Sequence, residues 1–74
     1  MFESRTTDDL IKIAATGGGF RLGAATRRTD ELIRIAAAAA NKGSRVYLSG
    51  MAARTVDDLI RIGAAGNGSV VFED

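Results

Sequence analysis

Two hydrophobic periods alternate along this chain, and the switch between them recurs. Leu10-Ile11-Lys12-Ile13-Ala14-Ala15, Leu32-Ile33-Arg34-Ile35-Ala36-Ala37 and Leu59-Ile60-Arg61-Ile62-Gly63-Ala64 each set an apolar stripe at helical spacing. An acidic pair precedes each stripe: Asp8-Asp9, Asp30-Glu31 and Asp57-Asp58. Before those stand Arg5-Thr6-Thr7, Arg27-Arg28-Thr29 and Arg54-Thr55-Val56. After each stripe comes Gly17-Gly18-Gly19, Asn41-Lys42-Gly43 or Gly66-Asn67-Gly68, and then a short β-prone run: Phe20-Arg21-Leu22, Val46-Tyr47-Leu48 or Val70-Val71-Phe72. The pattern predicts helices near 7–16, 29–41 and 56–65, and strands near 20–25, 45–49 and 69–73. A further strand near 1–4 is expected because Phe2-Glu3-Ser4 echoes Phe72-Glu73-Asp74.

The end signals have local causes. Thr6 and Thr55 suit the N-cap position with Asp9 and Asp58 three residues on, and Thr29 is the expected cap of the middle helix. First-turn carboxylates suit the positive end of the helix dipole. Glycine after each last turn supplies a left-handed stop. The run Ala36 to Ala40 marks the middle helix as the one with least room on either side.

Strands that alternate with single helices imply crossover connections and a parallel sheet. A sheet covered on both faces needs continuously apolar strands. Here Phe20 and Leu22 alternate with Arg21, and Val46 and Leu48 with Arg45, Tyr47 and Ser49, which leaves one face polar. The expected fold is α/β: three β-α repeats plus a closing strand, giving a singly wound four-stranded parallel sheet of order 1-2-3-4 with helices on one face. Residues 1–74 form one domain of three repeats (about 1–19, 20–43 and 44–68) and a final strand at 69–74. The pattern also fits a piece of a longer repeat array.

In repeat length and strand-plus-helix content the whole chain resembles the leucine-rich-repeat class of α/β solenoids. Phe20-Arg21-Leu22 and Val46-Tyr47-Leu48 stand where that class has a Leu-x-x-Leu-x-Leu run ending in Asn or Cys. The resemblance implies a binding surface on the open sheet face and carries over no functional residue.

Composition narrows the chemistry. In 74 residues there is no Cys, His, Trp or Pro. That excludes disulfides, thiolate nucleophiles, Cys or His metal sites and imidazole general bases. Ten basic residues against nine acidic ones give a net charge of +1, too balanced to imply nucleic acid or a membrane surface. No apolar run approaches the ~20 residues of a membrane span, and without an address the expected location is cytoplasmic. No catalytic constellation, metal site or cofactor is expected.

Two kinds of site stay in view. Loops at the carboxyl ends of parallel strands favour ligands. There Arg5, Thr6, Arg27, Arg28, Thr29, Arg54 and Thr55 are candidates for an anion or nucleotide; the plainer account is helix capping and inter-repeat ion pairs. The glycines close helices and precede strands, the reverse of a phosphate loop. On the open face Glu3, Arg21, Arg45, Tyr47, Val71 and Glu73 are candidates for an interaction surface. A thin apolar core with uncapped ends leads to a non-enzymatic interaction or self-assembly module. Its expected partner is a second copy, as a dimer or larger, or another protein.

Overall fold

The computed structural model describes residues 5–74. Their order is α1 (Thr7–Ala15), β1 (Phe20–Gly23), α2 (Thr29–Lys42), β2 (Val46–Ser49), α3 (Val56–Gly66) and β3 (Val70–Phe72). The strands form one parallel sheet of order β1-β2-β3. Phe20, Val46 and Val70 stand in one row; Leu22, Leu48 and Phe72 stand in another.

The expected four-stranded sheet is therefore corrected: the described residues form a three-stranded sheet and three helices, not three β-α repeats with a closing strand. The strand placed at 1–4 lies outside the described residues. Sequential order survives because each helix returns the chain to the neighbouring position.

Side-chain alternation places the helices. Phe20, Leu22, Val46 and Leu48 are buried, whereas Arg21 is exposed and Tyr47 half-buried. The buried row meets Leu10, Ala14, Leu32, Ile35, Ala36, Ala39 and Ile62 from the helices in one core. Small residues let the elements close up. A Cβ on Gly66 would lie 3.0 Å from the Val70 Cγ2, and one on Gly19 only 2.4 Å from the Arg45 carbonyl oxygen. Glycine is thus required at position 19 by close strand approach rather than by its backbone angles.

The helix ends fit their local chemistry with one exception. The Thr6 hydroxyl accepts from Asp9 N–H at 3.1 Å, and the Thr55 hydroxyl from Asp58 N–H at 3.2 Å. α2 instead has Arg28 at its N-cap, and the Arg28 N–H donates to Glu31 Oε1 at 3.3 Å. Thr29, the expected cap, is the first helical residue, and its hydroxyl has another use described below. Gly43 and Asn67 take left-handed angles after α2 and α3.

Candidate functional site: the loops and ends of the repeat stack

Counting from Leu10, Leu32 and Leu59, an arginine stands five residues earlier in every repeat: Arg5, Arg27 and Arg54. Two of these reach back into the preceding repeat. Arg27 Nη1 donates to the Thr7 hydroxyl at 3.0 Å, and its Nη2 to the Arg5 carbonyl. Arg54 Nη1 donates to the Thr29 hydroxyl at 2.8 Å. Its Nη2 donates to the Ala24 carbonyl at 2.8 Å and to the Arg27 carbonyl. The same device appears twice: guanidinium to the threonine and arginine carbonyl of the repeat before. A planar guanidinium suits the task because its fixed fork presents several donors at once.

This accounts for the anion-binding candidates one by one. Thr6 and Thr55 cap helices, Thr29 accepts from Arg54, and Arg27 and Arg54 clamp neighbouring repeats. Arg28 is exposed and meets Asp30 at 3.4 Å. Arg5 is exposed, and among the described residues its guanidinium has no partner. A further inter-repeat contact joins Arg34 to Asp8 at 3.8 Å. Sequence reasoning expected carboxylates to take up the loop arginines; Arg28 does meet Asp30, while Arg27 and Arg54 reach hydroxyls and carbonyls of the preceding repeat.

At the carboxyl ends of β1 and β2 lies an open cleft of about 420 Å³, lined by Gly23, Ala25, Thr26, Ser49, Gly50 and Asp74. A smaller one of about 290 Å³ adjoins Arg54, Thr55 and Asp58. Small residues and carboxylates dominate both, and the one arginine there is already bonded. Among the described residues every buried side-chain polar atom has a hydrogen-bond partner. No group of three or more His, Cys, Asp or Glu suited to a metal occurs among them. None of their helices is long and apolar enough to cross a membrane.

On the open sheet face Arg21, Tyr47 and Glu73 do come together. The Arg21 guanidinium lies 4.4 Å from the centre of the Tyr47 ring and bonds Glu73 at 2.8 and 2.9 Å. Val71 stands opposite Tyr47 in the register. Arg45 precedes β2 and does not join this group; Glu3 lies outside the described residues. The cluster is internally satisfied, cation to carboxylate and to the π face.

The feature sequence reasoning missed is the α3–β3 end. Val56, Ile60 and Phe72 are 70, 61 and 38 % exposed, the large exposed apolar side chains of the described residues. Their counterparts are covered or polar. Ile11 and Ile33, the equivalents of Ile60, pack against the core. Leu22 and Leu48, level with Phe72, are 1 % exposed. Val56 stands where the other repeats have Thr7 and Thr29. The Leu-Ile word gives no signal of this, because Ile60 stands in the same word as Ile11 and Ile33.

No family model, curated protein or solved structure matches the chain. What it does has to be read from this geometry.

Proposed function

We propose that the chain is a non-enzymatic assembly module whose α3–β3 end docks against protein. One observation carries the reading: Val56, Ile60 and Phe72 are exposed together at positions whose earlier equivalents are packed or bonded. Apolar surface at the open end of a repeat stack is removed from water by association, at about 25 cal/mol per Å² buried. The engagement of Arg27 and Arg54 within the stack favours assembly over the anion-binding alternative, because both cations already have their acceptors.

Sedimentation equilibrium from micromolar to millimolar protein tests this. The mass is expected to rise above 7.7 kDa with concentration, and Ile60→Asp returns it to the monomer value. A 7.7 kDa species throughout, with the wild-type sequence, overturns the reading.

A further inference from the structure

Building on that reading, we propose that the partner is a second copy arranged head to tail, the α1 side of one chain seated on the α3–β3 end of another.

The internal contacts define what such an end requires. The clamp recurs at both internal junctions and the basic-to-acid contact stands at the α1–α2 junction, while Asp30 of α2 meets Arg28. Together with the repeated sequence positions these define an outgoing surface and an incoming one. The outgoing elements are the isoleucine after the repeat leucine, the acid two residues before that leucine, and the carbonyl of the arginine five before it. The incoming elements are the basic residue two after the leucine, the isoleucine three after it, and the clamping arginine. Arg34 to Asp8 is the basic-to-acid contact, at 3.8 Å. Arg27 to the Arg5 carbonyl and Arg54 to the Arg27 carbonyl are the clamp.

Both unused halves of this set are exposed at opposite ends of the same molecule. α3 offers Ile60, Asp57 and the Arg54 carbonyl as outgoing elements. α1 offers Lys12, Ile13 and Arg5 as incoming ones. Asp57, Lys12 and Arg5 are exposed, and among the described residues no ion pair takes up their charge. Ile13 is half-buried, whereas Ile35 and Ile62 at the same position are 1 and 0 % exposed.

Placing α1 of a second copy beyond α3 pairs Lys12 with Asp57, sets Ile13 beside Ile60 and aims Arg5 at the Arg54 loop. One element differs. Val56 replaces the threonine acceptor, so the contact between copies exchanges a hydroxyl–guanidinium bond for apolar area. That exchange suits a reversible contact between folded chains, where burial is the main gain.

A two-fold arrangement would instead bring Asp57 of both copies to the same surface and leave Lys12 unused. The head-to-tail contact is heterologous, so it leaves free ends on every open assembly, which grows until it closes into a ring or extends as a filament.

The test combines sedimentation with charge exchange. Wild-type mass should climb past twice 7.7 kDa as concentration rises. Lys12→Asp, at an exposed position that leaves the fold intact by circular dichroism, should weaken association about tenfold, through loss of an ion pair and gain of a repulsion. Asp57→Lys should do the same, and the double variant Lys12→Asp/Asp57→Lys should restore most of the loss. A closed dimer that Lys12→Asp leaves unchanged overturns the head-to-tail arrangement while sparing the assembly reading. Wild-type protein that stays monomeric overturns both.

Discussion

Arg54→Ala isolates the device that joins repeat to repeat. The half-buried guanidinium donates to the Thr29 hydroxyl and to the carbonyls of Ala24 and Arg27. A hydrogen bond to a charged group contributes about 1.5–3 kcal/mol where water is excluded. Three such bonds are not additive here. Water reaches part of the loop, and the Ala24 carbonyl keeps its bond from Arg27 N–H at 3.1 Å. The expected loss is therefore about 2–3 kcal/mol, a large share of the ~4–11 kcal/mol typical of a domain this size.

Urea unfolding followed by far-ultraviolet circular dichroism measures it. With a slope of about 1 kcal/mol per molar, the midpoint should fall by roughly 2–3 M. All variants need one low protein concentration, since association stabilises the folded form. Arg28→Ala is the internal control: the same loop word and the same residue type, but an exposed pair with Asp30 worth about 0–0.5 kcal/mol. An Arg54→Ala loss below about 0.5 kcal/mol, or equal to that of Arg28→Ala, would refute the clamp.

Three further substitutions test neighbouring arguments by the same titration. Gly19→Ala drives a Cβ to 2.4 Å from the Arg45 carbonyl oxygen and should cost about 2–3 kcal/mol. Gly18→Ala, where the nearest atoms are 3.6 Å away, should stay within about 0.5 kcal/mol, and equal effects would reject the close-approach argument. Ser44→Ala removes a buried hydroxyl that donates to the Ala14 carbonyl at 2.7 Å and should cost about 1 kcal/mol or more; no change would mean that water replaces the bond. Thr55→Ala deletes the α3 cap, for about 1 kcal/mol, and an unchanged midpoint would show that the first turn does not depend on it.

The helices were legible because first-turn acids and an apolar stripe recur in all three, joined by cap hydroxyls at α1 and α3 and by glycine or Asn-Gly after the last turn. The strands were legible as alternation, with Phe20, Leu22, Val46 and Leu48 on the covered side. Two things were not. The α2 cap falls on Arg28, at the register four residues before the leucine that Thr6 and Thr55 occupy in α1 and α3, and choosing Thr29 for its hydroxyl passes over that register. The α3–β3 end looked ordinary because Ile60 belongs to the same Leu-Ile word as Ile11 and Ile33. Burial of that isoleucine depends on what stands beyond the helix, which the word itself does not contain.

A mismatch of spacings explains why clamps are needed at all. Parallel strands sit about 4.8 Å apart, whereas packed helices sit about 8–10 Å apart. One helix per strand therefore obliges the helix layer to spread more widely than the sheet. Small residues reduce the strain: Ala36 and Ala39 are fully buried. Spreading of the helix layer loads the loops between repeats, and there Arg27 and Arg54 bridge from one loop to the next. A copy added in the proposed head-to-tail sense inherits this divergence, because α1 would stand to α3 roughly as α2 stands to α1. Each addition then turns the assembly in the same direction. Growth of such a wedge produces a curved object that closes into a ring or winds into a helix, and not a straight rod.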